Sequence, residues 1–123
     1  MDNAETKVLL VDDNLAVRKI ARLFLINAGF AVEVADDADN ALKILSSQSF
    51  DVLITDMIMP GTMTGVDLIL HVQKHYPNTQ CGLISGLSDG LIDRSLECLR
   101  DLKTLSKPFS KADIVEFVKQ LGS

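Results

Sequence analysis

The sequence has no apolar run long enough to cross a membrane. A spanning helix needs about 20 consecutive apolar residues, and polar or charged residues interrupt every apolar stretch well short of that. Membrane insertion is therefore not expected. Cysteine is scarce. Cys81 and Cys98 stand in no CxxC or Cys/His spacing, which argues against a zinc ribbon or a redox pair. Both thiols are expected as small hydrophobes in a reducing compartment. Cations are outnumbered, with 12 Lys and Arg against 17 Asp and Glu and a net charge of −5. Direct nucleic-acid binding needs clustered cations on phosphates and is not expected, although a basic protein partner is compatible. There is no internal repeat, low-complexity segment or linker-like stretch. The opening residues, with Asp2, Asn3 and Glu5, lack a secretory signal pattern. Together these absences predict a cytoplasmic location.

What is present suits a single domain. The 123 residues are 47% apolar and 24% charged, enough to bury a core without disulfides or a structural metal. Residues 1–6 read as a short tail and 7–121 as the domain. Short apolar runs predict strands over Lys7–Val11, Ala31–Ala35, Asp51–Thr55, Gln80–Ile84 and Lys103–Ser106. Several are rich in Val, Ile and Leu with little alternation, as in strands buried on both faces of a parallel sheet.

Helical patterns lie between them. Over Leu15–Ala28, the residues Val17, Ile20, Ala21, Phe24 and Ala28 recur at helical spacing, and Gly29 follows as a stop. A second helix, about Ala38–Leu45, is expected to turn Ala41, Leu42, Ile44 and Leu45 inward. Thr64 and Asp67 form a capping-box pattern that starts a third, ended before Pro77. A fourth is expected from about Ser88 to Leu99. Ser110 and Asp113 cap a fifth, which buries Ile114, Phe117, Val118 and Leu121. Strand and helix thus alternate five times. Parallel strands need crossover helices, so the pattern predicts an α/β fold, one open sheet covered on both faces.

Ligands of such sheets bind at the carboxyl ends of the strands. Those ends carry Asp12 and Asp13, then Asp56, then Ser85 with Gly86, then Lys107 before Pro108. Asp36 and Asp37 end the second strand but read better as the start of the next helix. Three close carboxylates repel one another and raise each other's pKa. A divalent cation relieves that repulsion, and Mg²⁺ favours carboxylate, water and phosphate oxygens. Lys107 adds a point charge for a phosphoryl oxygen, Ser85 a hydroxyl, and Gly86 an unobstructed N–H. A carboxylate can itself be the nucleophile and form an aspartyl phosphate, and Asp56 is the central candidate. Each residue alone has an ordinary reading as a cap, a turn or a solvated charge. Their joint occurrence at successive strand ends carries the argument.

The runs "VLLVDDN", "VLITDMIMPG", "LISG" and "SKPF" resemble, in order and spacing, the motifs of receiver domains of two-component response regulators. The resemblance extends from about Lys7 to Leu121. It implies a (βα)5, flavodoxin-like fold with strand order 2-1-3-4-5 and a cis Lys107–Pro108 bond. It implies Asp56 as phosphoacceptor and Mg²⁺ (or Mn²⁺) held by Asp12, Asp13, Asp56 and the Ile58 backbone carbonyl. Ser85 and Gly86 correspond to the phosphate-sensing pair and Lys107 to the phosphate-binding lysine. The implied partners are a histidine kinase or histidine phosphotransfer protein as donor, and an output protein or fused domain. The implied role is a self-phosphorylating, autodephosphorylating switch in a phosphorelay rather than a conventional enzyme.

Some positions depart from the family pattern. The aromatic residue usual three positions before the lysine is Thr104 here, and the usual Gly-Ala pair before that strand is absent from "LRDLKTLSKPF". A weakened or different switch is expected at this face. Ile58 and Leu87 occupy the positions that flank the attacking water, and neither can hydrogen-bond it; a long-lived phosphoryl group is expected. The loop "MPGTMTG" is one residue longer than the commonest form and resembles the loop of receivers fused to, or working with, hybrid histidine kinases. His71 and His75 sit four apart without a third ligand, which reads as a helix face. Met57, Met59 and Met63 read as adaptable packing. Other functions are weighed against the switch: a receiver-like docking module with impaired phospho-switching, a Mg²⁺ phosphatase, and a flavin-binding domain. The intact acid, serine and lysine set argues against the first. The phosphatase commonly has a second acid where Ile58 stands, and the flavin domain a phosphate-cradling loop where the acids stand.

Overall fold

The structure, a computed structural model, describes residues 6–59, 61, 63–86 and 97–122, with Cys98 as backbone only. Five parallel strands are present: β1 (Lys7–Val11), β2 (Ala31–Ala35), β3 (Val52–Asp56), β4 (Gln80–Ser85) and β5 (Lys103–Ser106). They hydrogen-bond in the order β2-β1-β3-β4-β5. The helices are α1 (Leu15–Asn27), α2 (Ala38–Ser47), α3 (Gly65–His75), α4 (Glu97–Arg100) and α5 (Lys111–Gly122). The fold is the doubly wound, flavodoxin-like arrangement expected. The expected start of the fourth helix at Ser88, and Leu87, lie outside the described residues.

Alternation along the central strands sorts the core into two layers. Leu9, Val11, Leu53 and Leu83 face one way and pack with Leu45 of α2, Leu68, Ile69 and Val72 of α3, and Leu99 of α4. Val8, Leu10, Val52, Ile54 and Ile84 face the other way and meet Ala21 and Leu25 of α1 and Ile114, Phe117, Val118 and Leu121 of α5. Each fully buried Leu or Ile contributes about 1.5–3 kcal/mol of transfer free energy. Burial on both faces holds for β1 and β3 but not for the edges. β2 alternates between exposed and covered residues, and β5 is mostly exposed, because an edge strand has a neighbour on one side only.

The helix ends follow local chemistry. Asn14 and Asp37 cap α1 and α2, accepting from the Val17 and Asn40 amides at 3.1 and 2.8 Å. Thr64 and Asp67 form a reciprocal capping box on α3. Ser110 and Asp113 do the same on α5, at 2.9 and 3.1 Å. Gly29, just past α1, takes φ +98°, the left-handed turn that a side chain disfavours.

Three expectations need correction, the smallest being β4, which runs to Ser85 rather than ending at Ile84. Ile20 is 45% exposed, while Leu25 is fully buried. α1 is apolar around most of its circumference, so spacing alone does not choose the inward face; packing against α5 and the sheet does. β3 runs to Asp56 rather than ending at Thr55, and Asp51 lies outside it. Pairing with Ile84 of β4 carries this central strand one residue further, to Asp56, while the Asp51 carboxylate accepts from the Lys7 amide at 2.8 Å.

Candidate functional site

Sheet register builds the site. β1 and β3 pair Leu10 with Ile54 and Val11 with Thr55, so one further step sets Asp12 beside Asp56. β3 and β4 pair Asp56 with Ile84. β4 and β5 pair Ser85 with Ser106, and the next residue of that strand's path is Lys107, whose amide donates to the Ser85 carbonyl at 2.9 Å. Four distant segments therefore deliver their polar ends to one edge.

Asp12 is 0% exposed and Asp56 6%. With exposed Asp13 they bring one carboxylate oxygen each to within 4.8 Å of one another. The Lys107 ammonium lies 3.2 Å from Asp56 Oδ1 and 3.4 Å from Asp12 Oδ2. Among the described residues, one cation thus bridges two of the three clustered carboxylates. Burial, and next the Asp12 charge, push the Asp56 carboxyl up to about 6. Lys107 and the Met57 N–H oppose that rise without cancelling it. Burial acts to lower the Lys107 pKa, but the Asp12 and Asp56 charges outweigh it and hold the ammonium above its ordinary range.

The two oxygens of Asp56 are unequal. Oδ1 accepts from the Met57 N–H at 2.9 Å and from Lys107. Oδ2 has no such partner among the described residues and is the oxygen left for chemistry. Asp12 is divided likewise. Its Oδ1 accepts from the Asn14 N–H at 2.9 Å. Among the described residues, its buried Oδ2 accepts no hydrogen bond and has only the Lys107 ion pair. A buried carboxylate oxygen without a hydrogen bond is costly, and it faces the acidic cluster. Hard oxygen donors around uncompensated negative charge suit Mg²⁺.

Ser85 and Gly86 sit half-buried at the end of β4, at the same edge. Ile58 is 55% exposed two residues beyond Asp56. The methionines pack as expected: Met59 is buried, with its sulfur accepting from the Thr55 hydroxyl at 3.8 Å, and Met57 and Met63 lie against the core. The Lys107–Pro108 bond is cis. Thr104, at the position where an aromatic was missed, is exposed on β5. The His71 and His75 rings lie 4.4 Å apart, and among the described residues no third acid, His or Cys completes a ligand group with them. The Cys81 thiol is pushed up to about 12 by burial, which disfavours the thiolate. The Cys98 side chain lies outside the described residues.

The sequence matches the response regulator receiver domain family across residues 8–119. The chain belongs to the receiver-domain family. It is 29% identical over 115 residues to the response regulator receiver protein CpdR of Brucella abortus, covering 94% of this chain and 95% of that one. It is 32% identical over 114 residues to the response regulator protein FleR of Pseudomonas aeruginosa, covering 91% of this chain but 24% of FleR. A receiver domain from Clostridium thermocellum superposes with a TM-score of 0.81 at 25% identity, covering 95% of this chain and 94% of that one. The receiver thus has relatives of its own length and relatives that hold it as one part. Membership places the chain in phosphorelay signalling in general, where receivers usually meet histidine kinases and output domains. No helix among the described residues is long and apolar enough to cross a membrane.

Two contributors to this receiver's site went unread in the sequence. Gly65, first residue of α3, lies against the Asp56 backbone. A glycine where helix propensity disfavours it was the available signal. Asn14 both caps α1 and holds Asp12. An Asn just before a periodic apolar stretch is an N-cap signal.

Proposed function

We propose that this receiver accepts a phosphoryl group on Asp56 from a phosphohistidine of a histidine kinase or histidine phosphotransfer protein, and thereby switches its binding to an output partner. The observation that carries the reading is Lys107 bridging Asp56 and Asp12 at 3.2 and 3.4 Å, with Asp13 completing an acidic cluster. Mg²⁺ (or Mn²⁺) would be held by Asp12, Asp13, Asp56 and the Ile58 backbone carbonyl. Bound there, it neutralises the carboxylates and stabilises the charge on the phosphoryl oxygens in flight.

The chain's own groups supply the rest. Oδ1 of Asp56 is occupied by Met57 and Lys107, which aims Oδ2 at phosphorus. An O–P bond forms as the donor's P–N bond breaks, and the imidazole leaves with the electron pair. Lys107 moves its charge onto a phosphoryl oxygen. Ser85 and the Gly86 N–H meet the other oxygens and register their arrival. Catalysis is positioning and charge stabilisation, and turnover is limited to gain and loss of the domain's own phosphoryl group. The exposed apolar side chains of α1, Leu15, Leu23 and Ile26, begin directly beyond Asn14 and suit a protein donor that approaches this edge.

Incubation with a small phosphodonor and Mg²⁺ tests the reading. A gain of one phosphoryl mass is expected, abolished by Asp56→Asn or by chelation. A gain that survives Asp56→Asn sinks it.

A second reading concerns output. Exposed Thr104 supplies no ring to bury, which favours a receiver that is phosphorylated yet changes its β5 face little. Small amide shifts around Thr104 on adding an acyl-phosphate mimic support this; large, widespread shifts oppose it.

A further inference from the structure

We propose that Arg18 is a positioning residue for the acidic pair, acting on the peptide that joins Asp12 to Asp13. Its Nη1 donates to the Asp12 backbone carbonyl at 2.8 Å. The contact reaches back six residues, from the second turn of α1 to the end of β1. The other anchors of Asp12 are its amide, which donates to the Ala35 carbonyl at 3.2 Å, its Oδ1, which takes the Asn14 amide, and its Oδ2, which pairs with Lys107 at 3.4 Å. Arg18 holds the one remaining backbone group.

The Asp12 carbonyl and the Asp13 amide share one planar peptide. Holding that oxygen fixes the plane, and so the direction in which Asp13 leaves the backbone. This matters because Asp13 is exposed, and no hydrogen bond holds its carboxylate among the described residues. Its place in the cluster of three acids depends on its backbone. A guanidinium also brings positive charge to the Asp12 backbone carbonyl. The nearby Asp36 carboxyl sits below its ordinary range, first through the Asn40 amide, then through a backbone hydrogen bond and least through the Arg18 charge.

The inference rests on the proposed metal site and goes one layer behind it. Residues that orient metal ligands typically affect affinity by about 10-fold or more. The test is Mg²⁺ titration followed by NMR amide shifts, since the chain has no Trp to report binding. Wild type, Arg18→Met and Arg18→Lys are compared, with thermal unfolding of each. Met keeps the apolar stem and removes the donor; Lys restores a donor and a charge. Arg18→Met is expected to weaken Mg²⁺ about 10-fold, with its metal-free shifts concentrated at Asp13 and Asn14. Arg18→Lys recovers most of the affinity. With a small phosphodonor, Arg18→Met raises the Mg²⁺ needed for half-maximal phosphorylation and leaves the rate at saturating Mg²⁺ near wild type. A purely structural role would lower thermal stability and leave affinity unchanged in the folded fraction. Equal Mg²⁺ affinity in wild type and Arg18→Met overturns the inference alone. A wild type that binds no Mg²⁺ overturns the metal site and the inference with it.

Discussion

The first residue of α3, Gly65, lies against the backbone of Asp56 so closely that a β-carbon on it would sit 1.9 Å from the Asp56 carbonyl oxygen. The Gly65 amide also donates to the Met57 carbonyl at 2.9 Å. The neighbour is backbone in the centre of the sheet and cannot move aside. Gly65→Ala is expected to destabilise the domain by about 3 kcal/mol, read by urea unfolding. A loss under half that would mean that α3 shifts freely relative to β3.

Asp56→Asn should stabilise the metal-free protein, and the gain should depend on pH. Folded Asp56 titrates near 6, against 3.8 for the ordinary group. Below about pH 4 both folded and unfolded states hold the proton, and the carboxyl carries no penalty. As pH rises, the unfolded chain releases its proton first, so wild-type stability falls until about pH 6 and is level above it. The difference amounts to at most about 3 kcal/mol. Denaturant unfolding of both proteins from pH 4 to pH 8 measures it. A gain that is flat across this window contradicts the buried, Asp12-opposed carboxylate.

Lys107→Met removes the cation that bridges Asp12 and Asp56. Without metal it should cost about 1–3 kcal/mol near pH 7, since it leaves two buried charges uncompensated. Near pH 4.5, where Asp56 is largely protonated in the wild type, the cost should shrink. Saturating Mg²⁺ should restore part of the loss at pH 7. Equal cost at both pH values would show that Lys107 contributes through its stem rather than its charge.

Ile58→Asn should shorten the life of phosphorylated Asp56. Ile58 is half-exposed two residues beyond the acceptor and offers no hydrogen bond to an attacking water. An amide there can hold that water, for about a 10-fold faster loss, below the usual effect of a positioned proton-transfer group. Mass spectrometry of the decay measures the rate. Loss within seconds from the wild type, or an unchanged rate in the variant, defeats the proposal.

Much of this receiver was legible before any coordinates. Apolar strands bounded by capped helices dictate an α/β sheet, because hydrogen bonding and hydrophobic periodicity are local. Thr64 with Asp67 and Ser110 with Asp113 marked two helix starts within one residue. The order of chemistry at strand ends, Asp12 and Asp13, Asp56, Ser85, Lys107, was readable because parallel strands send every carboxyl end to one edge. Tertiary structure alone decided the rest. α1 is apolar on most sides, and only packing chose Leu25 over Ile20. The fit of Gly65 on Asp56 and the reach of Arg18 to the Asp12 carbonyl depend on how a helix sits against the strand end that precedes it. No periodicity encodes such contacts. The elevated pKa of Asp56 arises from burial and from Asp12 together, and both come from the register of β1 on β3. Residue types and their order were a property of the chain. Which oxygen of Asp56 was left open was a property of the folded sheet, because that depends on distances between segments far apart in sequence.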